Sequence, residues 1–408
     1  MKIRVGVIFG GESVEHEVSI ISAMQAINKL DLEKYEVVPI YITKDREWYT
    51  GEMLKDIEFY QDLSLIKRYA DNVVLYCKDG RFVLQKKKGL LKSVVKEIDI
   101  AFPIVHGTNV EDGTLQGYLQ TVGIPFVGSD VYGSVVGQDK VYMKAVWEQA
   151  DLPMSKYVWF YDVDFKHDRE DVLKKISKLK YPVIVKPATT GSSVGIAVCE
   201  DEEKLIEAID DAMQYDSKII VEEVVKNLKE VNIAVMGNYE HQKLSEIEEV
   251  FSGNKFLTYA DKYIGGGKGK LKGGKMPIKG SSKGMASANR KLPADLSKEM
   301  REEVEKIAIK AFKALGSAGN ARIDFLIDDV AKKVYVNEIN SIPGSLAFYL
   351  WDEKGVDFTH LLEDMINIGV KDYKKRVSKT HSFETNILKG FALNGGVKGM
   401  KGMKGKLR

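Results

Sequence analysis

Cysteine is nearly absent: the 408-residue chain has two, Cys77 and Cys199. Two thiols so far apart exclude a disulfide scaffold and a cysteine-ligated zinc site, and they suit a reducing cytosol. No apolar run reaches the roughly 18–20 residues that span a bilayer, so no membrane partner is expected. The N-terminus MKIRVGVIFGG enters a strand-like run at once, with no apolar core leading to a small-residue cleavage site. A secretory signal peptide is therefore not expected, and a cytoplasmic location is. Acidic residues are missing from two stretches. Nine Lys/Arg lie between Lys262 and Ala294, and six follow Glu384, with no Asp or Glu among them. The net charge of +2 is thus a segregated charge, and the rest of the chain is acidic. Both blocks are rich in Gly and Lys and carry too little apolar surface to offset chain entropy. They predict a mobile loop over about 256–291 and a disordered tail over 386–408. Each block holds a single aromatic residue, Tyr263 and Phe391, so neither interleaves a series that could stack on bases, which argues against a nucleic-acid partner. Hydrophobic residues at 44% and charged residues at 29% make the remainder globular.

The first 128 residues alternate strand and helix signals. Ile3–Phe9 is a β-branched run ending in Gly10-Gly11, and Val18–Leu30 has helical apolar spacing. Tyr35–Ile42 and Ile98–Val105 read as further strands, the latter followed by the loop His106–Gly113 and a helix from Thr114. The repetition predicts an α/β unit on an open parallel sheet over 1–128. Ligands of such a sheet meet the carboxyl ends of its strands, here Gly10–Glu17 and His106–Gly113. A second unit over 129–222 holds the helix Asp139–Glu148 and the strands Tyr181–Lys186 and Ile219–Glu222. A third over 223–385 holds the strand Val231–Met236, the helix Lys298–Leu315, and the strands Ala321–Ile327 and Val334–Asn340.

Four clusters could carry chemistry. In YPVIVKPATTGSSVGI (181–196) a strand delivers Lys186 to a loop of small and hydroxyl residues. Backbone N–H groups of such a loop can cradle an anion, although an ordinary turn reads the same way. In ARIDFLIDD (321–329) and KVYVNEIN (333–340), residues two apart share a face of a strand. Arg322 and Asp324 therefore project together, as do Glu338 and Asn340. If the strands pair, three oxygen-bearing side chains converge in a set suited to Mg²⁺, with an arginine that can hold an oxyanion. The plain alternative is an Arg322–Asp324 ion pair. In FGGESVEHEVSIISA (9–23), Glu15 precedes a helix and could hold an ammonium group, or simply complement the helix dipole. In HGTNVEDGTLQG (106–117), His106 ends a strand, where a structural role is the commoner one.

Together these segments resemble one family. GGESVEHEVS, HGTNVEDGTLQG, Asp139-Lys140, VKPATTGSSVGI, FLTYADKY, ARIDF and NEINSIPG stand in the order found in D-alanine–D-alanine ligases of the ATP-grasp superfamily. The resemblance covers about residues 3–370. It implies three domains, with ATP clamped between the second and third. It implies that Lys140, Lys186, Ser193 and Lys262 contact ATP, that Glu222 and Glu223 form the adenine hinge, and that Glu230 binds ribose. Asp324, Glu338 and Asn340 correspond to the ligands of two Mg²⁺ (or Mn²⁺) ions. Glu15 corresponds to the residue that binds the first substrate's ammonium, with Val18 and His106 near the same substrate. Ser192 would link Glu15 to Tyr263, whose presence favours an amine as acceptor. Arg322 and the N–H of Gly344 would hold the tetrahedral oxyanion. A homodimer and a bound monovalent cation are further implications.

The loop after Tyr263 is longer and more basic than in relatives. Where relatives carry the Ser-Leu pair that binds the acceptor's carboxylate, ungapped counting gives Tyr349-Leu350. Ser345-Leu346, nearer the glycine, is the expected substitute. The leading expectation is ATP-dependent joining of two D-alanines through an acyl phosphate, for peptidoglycan precursors. An acceptor such as D-serine is the alternative, and a non-catalytic ATP- or nucleic-acid-binding protein is the reading from another class.

Overall fold

The computed structural model describes residues 2–87, 89, 93–251 and 290–383. Lys262, Tyr263, nearly all of the expected mobile loop and the expected tail lie outside the described residues.

Three sheets carry the fold. The first contains β1 (Ile3–Gly10), β2 (Tyr35–Ile42), β3 (Trp48–Thr50), β4 (Asp71–Lys78), β5 (Arg81–Lys86), β6 (Val94–Ile98) and β7 (Ile100–Pro103). Its order is β6-β5-β4-β3-β2-β1-β7. Only β2, β1 and β7 run parallel. The parallel character expected for the whole sheet is confined to these three strands, and an antiparallel extension completes it. The reason is local. The link from β2 to β3, Thr43–Glu47, is too short for a parallel crossover. Asp79 and Gly80, with φ of 51° and 74°, close a tight hairpin between β4 and β5. The single strand expected over Ile98–Val105 is divided at Asp99, whose carboxylate accepts the Arg4 backbone N–H at 2.8 Å and its guanidinium at 2.6 Å. The helix α1 (His16–Ile27) packs on β1, burying Ile20, Ala23, Met24 and Ile27.

The second sheet has the order β10-β9-β11-β8. It is built from β8 (Tyr157–Tyr161), β9 (Val183–Pro187), β10 (Ala197–Cys199) and β11 (Lys218–Glu223). The helix α2 (Lys140–Gln149) begins where Asp139 caps it, its carboxylate accepting the Val141 N–H at 2.9 Å. The third sheet, β14-β13-β12-β15-β16, is antiparallel. Its strands are β12 (Leu228–Gly237), β13 (Gln242–Val250), β14 (Arg290–Lys291), β15 (Gly319–Asp328) and β16 (Lys333–Asn340). Along β15 alternate residues Ala321, Ile323, Phe325 and Ile327 point into a core shared with the helix α3 (Lys298–Ala314). The intervening residues Arg322, Asp324 and Leu326 therefore face the other way. Beyond Val370 the described chain ends its last helix at Val377, and the His381 ring donates to the Arg376 carbonyl at 2.7 Å.

Candidate active site

A cleft of about 290 Å³ gathers residues of the second and third sheets and of the loops at the carboxyl ends of β1 and β7 in the first. Glu15, His106, Lys140, Lys186, Ser192, Ser193, Glu223, Glu230, Arg322, Asp324, Glu338, Asn340 and Gly344 all line it. Val18, Glu222, Ser345 and Leu346 do not. Val18 is buried in α1, and Ser345 and Leu346 are buried in the loop after β16.

One wall follows from strand register. β15 and β16 pair antiparallel with Arg322 opposite Asn340 and Asp324 opposite Glu338, so the expected convergence is present. In this state Arg322 grips Asp324 through two bonds of 2.6 and 2.7 Å, and the Asn340 amide donates to the same carboxylate at 3.3 Å. The ion pair and the ligand set are therefore one cluster. Burial lowers the proton affinity of Arg322, but Asp324 outweighs it and keeps the guanidinium charged at any working pH. The donor set is two carboxylates and an amide oxygen on one face, which fits a hard divalent cation. Among the described residues no group of three or more His, Cys, Asp or Glu is placed to hold a metal. Any ion held here would therefore share its shell with substrate oxygens or water.

The opposite wall supplies cations. Lys140, buried at the start of α2, donates to the Thr190 carbonyl at 2.9 Å, and burial lowers its pKa. Lys186 at the end of β9 donates to Glu222 at 3.0 Å and reaches Asn337 at 3.4 Å. Strand alternation separates the expected hinge pair. Glu223 faces the cleft, whereas Glu222 is 1% exposed and holds Lys144 and Lys186, each at 3.0 Å, and the Ser155 hydroxyl at 2.8 Å. Glu222 anchors the lysines from behind. Lys144 and Asn337 were not singled out from sequence. A buried lysine one turn after Lys140 carries no motif of its own.

At the cleft mouth the Ser192 hydroxyl donates to the Glu15 carboxylate. Ser192 and Ser193 hold left-handed φ values of 54° and 61° in the loop after β9. Gly107 and Gly191 flank Glu15 so closely that a Cβ would meet its Oε2 at 2.9 and 2.6 Å. Gly191 is needed for the approach of the two loops alone, whereas Gly107 is needed both for that approach and for its left-handed φ of 83°.

Glu111 was likewise missed as a site residue. It is buried at the cleft edge, where Oε1 accepts the Ser341 hydroxyl and the Ile342 N–H at 3.0 Å each, and Oε2 accepts the Gly107 N–H at 2.9 Å. Burial, with Glu15 adding to it, outweighs these bonds and pushes its pKa up to about 7. The folded state therefore holds a proton that the unfolded state releases near its ordinary 4.5. This group's contribution is fully present below about pH 4.5 and is lost as pH rises through about 7. Glu111→Gln is expected to flatten stability against pH across that window. Chemical denaturation at a series of pH values checks it, and an unchanged slope would refute the assignment.

Glu248, Arg290 and Tyr349 line the cleft as well, with Glu248 and Tyr349 near enough to Arg322 to act on its charge. The Tyr349 hydroxyl donates to Glu248 at 2.9 Å, Arg290 lies 4.0 Å from the centre of the Tyr349 ring, and its guanidinium reaches Glu248 at 3.4 Å.

Fold and site together define an ATP-dependent ligase of the ATP-grasp type. The family model described as D-ala D-ala ligase N-terminus matches residues 4–129, and that described as D-ala D-ala ligase C-terminus matches 146–367. A D-alanine--D-alanine ligase of Thermosipho melanesiensis is 37% identical over 390 residues, covering 95% of this chain and 98% of that protein. The D-alanine-D-alanine ligase structure from Coxiella burnetii superposes with a TM-score of 0.75 at 26% identity, over 97% of this chain and 99% of the other. The VanG D-Ala:D-Ser ligase from Enterococcus faecalis gives a TM-score of 0.73 at 28% identity, over 90% and 100%. The chain belongs to the D-alanine–D-alanine ligase family.

Proposed function

We propose that the cleft binds ATP and two D-alanine molecules and joins them for peptidoglycan precursors. The carrying observation is that Glu15, the two lysines and the Arg322–Asp324–Glu338–Asn340 face line one cavity. Lys140 and Lys186 neutralise the phosphates, while Glu223, Glu230 and the apolar side chains Met143, Ile184 and Leu326 receive the nucleoside. Asp324, Glu338 and Asn340 would hold Mg²⁺, which supplies charge neutralisation to the transferred phosphoryl group.

Glu15, held by Ser192, takes the ammonium of the first D-alanine. A carboxylate oxygen of that molecule attacks the γ-phosphorus, the bond to ADP breaks, and an acyl phosphate forms. The ammonium of the second D-alanine gives a proton to solvent, and the resulting amine attacks the acyl carbon, its second proton leaving with the phosphate. The tetrahedral oxyanion is met by Arg322 and the Gly344 N–H. The carbon–oxygen bond to phosphate then breaks, releasing phosphate and the dipeptide. Preorganised donors of this kind are worth about 10²–10³ in rate each.

The acceptor's carboxylate falls to Arg290 beside Tyr349. The buried Ser345-Leu346 pair, expected to substitute for the Ser-Leu of relatives, is not a cleft lining. Arg290→Gln is expected to raise the acceptor KM by about 10–100-fold, the loss of a charge-assisted contact, with the KM for ATP unchanged. Steady-state kinetics at the low-affinity amino-acid site check this, and an unaltered acceptor KM would contradict it. D-serine is the second reading, favoured by the polar Tyr349 hydroxyl and by the likeness to a D-Ala:D-Ser ligase. Incubation with ATP, Mg²⁺ and equimolar D-alanine and D-serine separates the two. Mainly D-alanyl-D-alanine by mass supports the first, and mainly the mixed dipeptide supports the second.

A cytoplasmic location accords with the two free thiols, Cys77 and Cys199, and no helix among the described residues is long and apolar enough to cross a membrane. The homodimer and the monovalent cation rest on the family resemblance alone.

A further inference from the structure

The loop after β16 carries three consecutive non-glycine residues in the left-handed region: Ser345, Leu346 and Ala347, with φ of 52°, 51° and 47°. Each such residue costs of order 1 kcal/mol or more, so the surroundings must over-determine the conformation. Side chains remote in sequence hold it on both flanks. Asn320 donates to the Leu346 carbonyl at 2.6 Å and is itself held by the Trp351 indole at 3.1 Å. Glu111 accepts from Ser341 and Ile342. On the side of Gly344, the Ser345 N–H donates at 2.9 Å to the hydroxyl of Ser22, a 1% exposed residue of α1.

The Ser22 hydroxyl is itself held from the other side: its oxygen lies 2.9 Å from Nε2 of the buried His106 ring while it accepts from the Ser345 N–H. His106, Ser22 and Ser345 thus form one buried hydrogen-bonded chain that ends on the residue after Gly344. Ser22 lies seven residues after Glu15, which stands immediately before α1 as its N-cap residue. The helix thus carries the clamp on the loop and has the Glu15 carboxylate at its N-terminal end.

We infer that Ser22 is a positioning residue for the reaction: through the Ser345 N–H it holds the strained turn that aims the Gly344 N–H at the developing oxyanion. The inference rests on the proposed oxyanion role of Gly344. It assigns α1 the task of keeping donor site and oxyanion donor in register.

Ser22→Ala tests it in two arms. In hydrogen exchange on the full chain, protection of the Gly344–Leu346 amides should fall by about tenfold, while β15 and the rest of α1 keep theirs. In steady-state kinetics kcat should fall by about tenfold with the KM values for ATP and donor D-alanine unchanged, and affinity for a phosphinate mimic of the tetrahedral intermediate should fall in parallel. A purely structural loss would lower the melting temperature without that division between kcat and KM. Wild-type protection of the Ser345 amide would overturn the clamp. A loosened loop with wild-type kcat and phosphinate affinity would overturn its role in catalysis. If the unaltered protein forms no dipeptide at all, the ligation reading fails, and the exchange arm still decides whether Ser22 holds the loop.

Discussion

Glu338→Gln is expected to lower turnover by about 10³-fold or more, the loss of roughly 4 kcal/mol of transition-state stabilisation. Glu338 faces Asp324 across the β15–β16 pair and lines the cleft, so its carboxylate serves the site and not the core. The amide keeps the shape and removes one negative charge from the set that would hold a divalent ion. Melting temperature should stay at the wild-type value, while the Mg²⁺ concentration for half-maximal activity rises. Wild-type kinetics in this variant would remove the metal assignment for the whole strand pair.

Glu222→Ala is expected to act on stability instead. The carboxylate sits between Lys144 and Lys186, with Ser155 as a third donor, and its removal leaves two ammonium groups facing each other in a buried place. Breaking a buried pair from one side costs about 3–5 kcal/mol. Burial alone would push the Glu222 carboxyl up, but the two lysines and the Ser155 bond outweigh it and hold it well below its ordinary 4.5. A depressed folded pKa contributes stability above about pH 4.5 that is lost as pH falls toward the folded value. The variant should therefore be destabilised at neutral pH and show a shallower acid limb than the wild type. Denaturation at pH 7 and at decreasing pH checks both. A variant as stable as the wild type, with only its ATP affinity reduced, would restore Glu222 to the adenine hinge.

The third sheet's cleft-lining face was legible because strand periodicity is strict. Once ARIDF and NEIN were read as paired strands, the sharing of one face by Arg322, Asp324, Glu338 and Asn340 followed, and the register bears it out. The antiparallel half of the first sheet was missed, although Asp79-Gly80 between two alternating runs is a strong hairpin signal. Alternation also decides Glu222 against Glu223, since adjacent strand residues cannot both face the cleft. The residues that sequence left unmarked act through distance along the chain. Glu111 and Ser22 reach a loop that follows more than two hundred residues later. Arg290 meets Tyr349 only because β14 lies at the edge beside β13. Such pairings have no local period or spacing to announce them.

The central claim is that this cleft activates a carboxylate through ATP before the amine arrives. D-alanine labelled with ¹⁸O in its carboxylate, turned over with ATP and Mg²⁺, tests it directly. The expected result is D-alanyl-D-alanine, ADP and inorganic phosphate carrying one ¹⁸O per dipeptide formed, because the attacking oxygen leaves with the phosphorus. Dipeptide formed with unlabelled phosphate, or labelled AMP in place of phosphate, would contradict it.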